Sequence, residues 1–585
     1  MDRLIPGDDE ASQRTFDFLP ATGISIDSSP PSSVIRRQAM APAAQKARGA
    51  YYTDPVVAAF LVRWAMRSPT DRVLDPCFGE GVFLSAAVDR SIALGGTAAN
   101  IVGIELHRDA CALTKRRLRG EAMTPSLLCT DFFHVKAAAT GLFSAVVGNP
   151  PFIRYQRFSG EQRKVALRRA AEAGVSLSAL TSAWAPFLVH ATTFLEPGGR
   201  LAVVSPAELC HAVYARPLLR FLRSRFKQAL ILTFSRRLFP ELSEDTVLIL
   251  ADGYGTAGDD LRLLSLRDAS ALETPGVLST TAVPIGNETA DADIVRLIVH
   301  LLPDTVRQLY QRLAHHPESI RLGAVATTGI GYVTGNNDFF HLSASEAEAY
   351  GIPDKVLAHA VCRAAWLPGL TFTERDWTEL DRRGLKTRLL HLSGMTREAL
   401  PRPVRAYVSN GERRKVHTAY KCRVRRPWYG VPHVSVPDLF LTYMANSRPA
   451  LVLNRARAVA PNTLLCVHVD RRANVKSEAL AAGWWTSLAA LSAEIEGHSL
   501  GGGMLKLEPR EAGSLVLPLP ARLRDSAIAR QLVLDLDRAV RSRQHEEATD
   551  LADREIPQRG LGLSRDECAL LREGAGYLAN RRRMR

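Results

Sequence analysis

The sequence contains no Cys-x-x-Cys pair and no group of histidines at metal-ligand spacing. Its eight cysteines, Cys77, Cys111, Cys129, Cys210, Cys362, Cys422, Cys466 and Cys568, are scattered along the chain. A disulfide framework and a bound metal are therefore not expected. No apolar run approaches the ~20 residues of a membrane-spanning helix, and Met1 to Glu10 is acidic and polar where a secretory leader is basic and then apolar. A cytoplasmic protein without membrane association is expected. Acidic residues are comparatively few: 75 Lys and Arg stand against 60 Asp and Glu, a formal net charge of +15. Such a surface attracts polyanions, nucleic acid foremost. The dinucleotide fingerprint G-x-G-x-x-G is also incomplete, because Leu84 stands where the third glycine would follow Gly79 and Gly81. That disfavours hydride chemistry.

At 585 residues the chain has room for two to four domains. Residues 1–40, with Ser28-Ser29-Pro30-Pro31-Ser32-Ser33, lack apolar periodicity and read as a flexible tail. Thr53-Asp54-Pro55 then carries the cap and proline signals of a helix start, and an apolar helical pattern runs from Val56 to Met66. From there β-rich runs alternate with helical ones. Strands are predicted at 72–75, 101–105, 127–131, 145–149, 200–205, 229–234 and 246–251, which implies a mainly parallel sheet with helices on both faces. Ligands of such sheets bind beyond the carboxyl ends of the strands.

Those ends carry chemistry. After the first strand, Asp75-Pro76-Cys77-Phe78-Gly79-Glu80-Gly81 puts a carboxylate and two glycines at a helix start, where a ligand can lie against the backbone. The second strand ends in Glu105, an acceptor suited to a ribose diol, and the third in Asp131-Phe132, an acceptor beside an apolar ring. The fourth runs into Asn149-Pro150-Pro151-Phe152. There the Asn149 side-chain carbonyl and the Pro150 backbone carbonyl can converge on one amino group, while Phe152 offers a stacking face. By themselves these four residues read equally well as a rigid turn.

In this order, Gly49-Ala50-Tyr51-Tyr52-Thr53, Asp75-Pro76-x-x-Gly79-x-Gly81-x-Phe83, Gly103-Ile104-Glu105, Asp131-Phe132 and Asn149-Pro150-Pro151-Phe152 resemble the gamma class of amino-directed DNA methyltransferases, the TaqI-like adenine-N6 family. The resemblance implies a Rossmann-like, seven-stranded S-adenosylmethionine-dependent methyltransferase domain over residues 41–255. A connector (256–320), a mixed α/β DNA target-recognition domain (321–520) and a helical basic C-terminal region (521–585) would follow. It also implies that Tyr51, Tyr52, Thr53, Asp75, Pro76, Gly79, Gly81, Glu105, Asp131 and Phe132 hold S-adenosylmethionine. Asn149, Pro150 and Phe152 would hold the target adenine, with Phe239 of Leu238-Phe239-Pro240 on its other face. The base would be flipped out of double-stranded DNA in a restriction–modification or phage-defence setting, beside a separate endonuclease or defence partner. Cytosine-N4, RNA or protein methylation by the same machinery, or a non-catalytic DNA-binding specificity protein, are the alternative readings.

Two stretches of the second half bear on DNA. Thr328 to Phe340 resembles the start of a TaqI-like recognition domain, or else forms a plain hairpin. Between Arg402 and Trp428 the single acid Glu412 is outnumbered by cations that include Arg413, Arg414, Lys415, Lys421, Arg423, Arg425 and Arg426, interleaved with Tyr407, Tyr420 and Trp428. Read as β-type runs, they form a surface that follows phosphates and reads bases. Near the end, Arg581-Arg582-Arg583 either docks on its domain or grips DNA.

Overall fold

A computed structural model describes residues 53–118, 125–210, 215–239, 245–258, 260–279, 282–285, 296–500 and 503–584. The 1–40 tail and the Gly49 to Tyr52 part of the first motif lie outside the described residues. The chain divides into two units between Leu301 and Leu302.

In the first unit α1 (Pro55–Ala65) starts where the sequence predicts: Pro55 occupies the first turn and the Asp54 carboxylate accepts from the Val56 N–H at 2.8 Å. Seven strands follow: β1 (Val73–Asp75), β2 (Ile101–Glu105), β3 (Ser126–Cys129), β4 (Phe143–Gly148), β5 (Leu195–Pro206), β6 (Phe226–Phe234) and β7 (Thr246–Tyr254). They lie in the order 3-2-1-4-5-7-6, with β7 antiparallel to both neighbours and the others parallel. β1, β2 and β4 are buried along their whole length, as a sheet covered on both faces requires.

Two corrections arise here. The sheet has nine strands, because β8 (Asp260–Leu266) adds parallel to β6 and β9 (Val283–Pro284) adds antiparallel to β8. Residues 256–320 are therefore no connector: their first part is sheet edge, and beyond Leu301 they supply a helix, Asp304–Ala314, to the second unit.

The second unit holds a five-stranded sheet with β11 (Ala326–Ile330) on one edge. β11 pairs antiparallel with a strand at Leu465–Val469, so the Thr328 to Phe340 stretch forms no hairpin. β10 (Ser319–Arg321) pairs with Val516–Pro518, which ties the two ends of the predicted recognition domain together. Of the predicted 521–585 region, residues 521–583 are part of this unit. Its last helix, Arg565–Arg583, buries Arg582 against Glu494 of the helix Ser487–Glu496, with Nε···Oε2 at 3.0 Å and Nη2···Oε1 at 2.7 Å. Arg581 is also buried, so the arginine run docks on its own unit. Among the described residues no helix is long and apolar enough to cross a membrane.

Candidate functional site

The carboxyl ends of β1, β2 and β4 meet in one network. Gly103, in the middle of β2, has no side chain, and a Cβ there would stand 2.7 Å from Phe78 Cδ1. The 76–81 loop can therefore lie flat against β2, where the Phe78 N–H donates to the Ile104 carbonyl at 3.2 Å. Gly79 and Gly81 have φ of +50° and +83°, and Gly81 caps the helix Val82–Ala93. A Cβ on Gly79 would meet nothing nearer than the Cys77 carbonyl at 4.0 Å, so the glycine leaves open space beside its backbone.

Glu105 organises this loop. Its Oε2 accepts from Gly79 N–H at 3.0 Å and its Oε1 from His107 N–H at 2.8 Å, so a lone pair remains on each oxygen for a diol. Asp75 lies beneath it, 1% exposed; Oδ1 accepts from Cys77 N–H at 3.1 Å, and the buried Oδ2 has no partner. Burial, with the charge of Glu105 adding, pushes the Asp75 carboxyl up to about 8. An acceptor-only carboxylate beside a buried, unpartnered acidic oxygen fits a ligand that combines a ribose with a cationic amine. Asp75 and Glu105 are the groups that would hold it. Pro76 joins Asp75 to this loop and contacts the would-be Cβ of Gly148 at 3.5 Å.

β4 delivers the second half. Gly148 (φ +154°) passes close to Asp75, with a Cβ there 3.1 Å from Oδ1. The thiol of Cys77, to which no sequence motif assigns a role, donates to the Asn149 backbone carbonyl at 3.1 Å and ties the two loops together. The Asn149 side chain donates through Nδ2 to Thr53 Oγ1 at 3.1 Å, while its buried Oδ1 has no partner. Pro150 is buried beside it, and Phe152 and Phe239 are 5% and 6% exposed in the core of this unit. Phe239 follows β6, whose end shares the sheet edge with the end of β4.

At the end of β3, Asp131 caps a short 3-10 turn, with Oδ1 accepting from Phe133 N–H at 3.0 Å. The Phe132 ring is buried against Phe187, His190 and Phe194, with centroids at 4.8, 4.6 and 5.1 Å. His190 Nε2 lies 3.2 Å from the Phe132 carbonyl and 3.1 Å from that of Val135. Burial lowers its pKa to about 4, and two acceptor neighbours place the proton of the neutral ring on Nε2. His190 thus pins the 132–135 turn, and no local sequence signal announces a partner so distant in the chain.

In the second unit the predicted basic segment is helical, not β-type: α2 (Arg402–Arg413), then a turn at Lys415 (φ +59°), then α3 (Tyr420–Arg423). Arg413, Arg414, Lys415, Lys421, Arg423 and Arg426 are exposed. Arg425 differs, since its half-buried guanidinium donates to the Thr334 carbonyl at 2.9 Å and to that of Val333. Tyr407 is buried and donates to the Phe339 carbonyl at 2.8 Å, and the Trp428 indole donates to Glu412 at 3.2 Å.

Residues 37–213 match the N-6 DNA Methylase family, and residues 296–557 match the C-terminal domain of the Type II methyltransferase M.Eco57I. The Type II methyltransferase M.XamI of Xanthomonas campestris pv. amaranthicola is 25% identical over 479 residues, 80% of this chain and 85% of that protein. The Type II methyltransferase M.BstVI of Geobacillus stearothermophilus is 25% identical over 211 residues, 31% and 37% of the two chains. In three dimensions the chain is similar to the Type IIL restriction-modification enzyme MmeI, solved in complex with DNA, with a TM-score of 0.56 at 12% identity over 90% of this chain and 75% of that one. That likeness extends the shared fold across both units. The chain is thus a DNA methyltransferase that draws its methyl group from S-adenosylmethionine, its first unit matching the N-6 DNA methylase family and its second a Type II methyltransferase C-terminal domain.

Proposed function

We propose that this chain methylates N6 of an adenine flipped out of double-stranded DNA, as the modification enzyme of a restriction–modification system with a separate endonuclease partner. The observation that carries the reading is the Asn149 amide: its N–H is held by Thr53, so its carbonyl oxygen is presented buried and without a partner. The N6 lone pair of adenine is delocalised into the ring and attacks poorly. When Asn149 Oδ1 and the Pro150 carbonyl accept its two N–H groups, the nitrogen becomes more tetrahedral and the positive charge that develops on it is stabilised. S-adenosylmethionine supplies the electrophilic methyl group. Asp75 and Glu105 hold its amine and ribose, Asp131 accepts from its adenine, and Gly79 and Gly81 admit it against the backbone. Asn149 and its neighbours need no strong general base, because the N6 proton becomes acidic only as the methyl arrives and can pass to solvent.

A duplex hides N6, so the base must leave the stack, and Phe152 with Phe239 replaces the lost stacking once their rings are uncovered. Asn149 favours adenine, since the resemblance to the adenine-N6 enzymes rests on an asparagine at this place. The test is to incubate the protein with labelled S-adenosylmethionine and unmethylated genomic DNA and then digest to nucleosides. Label in N6-methyladenosine is expected. Label in cytosine, or none in DNA, overturns the reading.

A further inference from the structure

The basic segment of the second unit is built around one exposed apolar pair. Tyr420 and Val424 are 65% and 61% exposed, one helical turn apart on α3 and the residue after it. Lys421 Nζ and Arg423 Cζ stand 5.7 and 6.0 Å from the centre of the Tyr420 ring. The only acid of the segment does not neutralise them, because Arg397 claims both oxygens of Glu412, Nη1···Oε1 at 2.6 Å and Nη2···Oε2 at 3.0 Å. No ion pair joins Arg413, Arg414, Lys415, Lys421 or Arg423 to a carboxylate among the described residues.

The base of this projection is rigid. Cys422 is fully buried, with its thiol on the Thr334 carbonyl at 3.5 Å, and Arg425 grips the same carbonyl at 2.9 Å. Gly335 (φ +85°) lets the chain pass so close that a Cβ would lie 3.0 Å from Lys421 Cβ and 3.1 Å from Cys422 Sγ. A large aromatic ring held out on such a support, among unneutralised cations that include Lys415 and Lys421, a residue type depleted at protein interfaces, matches a polyanion better than a protein partner. It suits a polyanion with flat, apolar faces inside.

We propose that Tyr420 and Val424 are the base-contacting tip of the DNA-recognition surface, and that Arg413, Arg414, Lys415, Lys421 and Arg423 hold the phosphates on either side. This rests on the DNA-methylation reading above. It divides the segment by role: the cations position and the apolar pair discriminates, through apolar contact with a thymine methyl in the major groove.

The experiment uses the full chain and unmethylated genomic DNA, with the methylated motif read by sequencing and binding followed across a salt series. Arg423→Ala and Lys415→Ala are expected to weaken binding to all duplexes alike and to flatten the salt slope by about one for each phosphate no longer neutralised. Tyr420→Ala, with Val424→Ala as a second variant, is expected to keep the wild-type salt slope yet lose about tenfold or more of motif methylation, or to relax the motif at one position. Both residues are exposed, so an unchanged thermal melt separates this from misfolding. Wild-type rate and motif in both apolar variants would overturn the proposal, as would a Tyr420→Ala loss that is the same on every sequence. A wild-type protein that methylates no DNA would instead sink the underlying reading.

Discussion

Asn149 donates its side-chain amide to the Thr53 hydroxyl at 3.1 Å, and in the proposed reaction this bond decides which end of the amide would face the target amine. Reversing the amide would present a donor to a donor. Asn149→Ala is therefore expected to abolish methyl transfer while leaving the affinity for S-adenosylmethionine within about threefold, because no cofactor-holding group is removed. Thr53→Val should lower kcat by about tenfold, the worth of one buried hydrogen bond, and Thr53→Ser should restore most of it. Single-turnover transfer alongside titration calorimetry checks both, and full activity in Asn149→Ala would remove its assigned role.

Asp75 makes the unliganded protein pH-sensitive. Its folded carboxyl, raised to about 8, keeps its proton where the unfolded one, near 3.8, has lost it. The unfolded state thus binds fewer protons between those values, so this group's contribution to stability falls as pH rises through that window. Asp75→Asn should flatten the decline in thermal midpoint between about pH 5 and pH 8, whatever it does to cofactor affinity. In the proposed complex a cationic amine arriving beside Asp75 would favour its ionised form, so cofactor binding near neutral pH should release a proton to solvent. Calorimetry in two buffers of different ionisation enthalpy measures that release.

The two glycines of the first loop should not respond alike. Gly81 has φ +83°, and a Cβ there would lie 2.7 Å from Thr114 Cγ2. Gly81→Ala should cost about 1–3 kcal/mol and weaken cofactor binding, since Thr114 Oγ1 also holds the Gly79 carbonyl at 3.0 Å. At Gly79 only backbone strain opposes alanine, so thermal melts should show the smaller loss there.

Arg582 and Arg583 provide an internal contrast. Removing Arg582 leaves Glu494 charged and buried, and Arg582→Met should destabilise the second unit by about 3–5 kcal/mol. Arg583 is exposed, and its replacement should be close to neutral in chemical denaturation.

Much of the first unit is legible in the sequence because its signals are local. Each strand end that carries a predicted motif is short and local, and the mainly parallel sheet follows from alternating strands and helices, whereas the strand order and the reversal of β7 do not. β8 is hard to foresee because it pairs with β6 across the intervening β7 of the chain, and β9 because it is an edge strand of two residues. The basic segment reads as β-type from its interleaved aromatics, yet Val404, Tyr407, Val408 and Gly411 recur at helical spacing behind Pro403 at a helix start, and that period wins. Its aromatic residues cannot be sorted from sequence: Tyr407 and Tyr420 stand in similar surroundings along the chain, yet one is core and the other projects into solvent. The partners of Asn149, Thr53 and Cys77, lie 96 and 72 residues away, and only the folded sheet brings them together.

The reversed strand β7 also acts as a ruler. Because it runs against its neighbours, β6 exits on the same edge as β4, three strand spacings away, or about 14 Å. A ring on the β6 side that is to face Asn149 must be carried back across that gap, and because Ser235 and Arg236 still donate to the Leu266 and Arg267 carbonyls on the β8 side, only Arg237 to Phe239, about 10 Å when extended, and the ring itself are left to cross it. The length of that short segment, more than the identity of its middle residues, would then set how far apart the two aromatic walls of the proposed base pocket can stand.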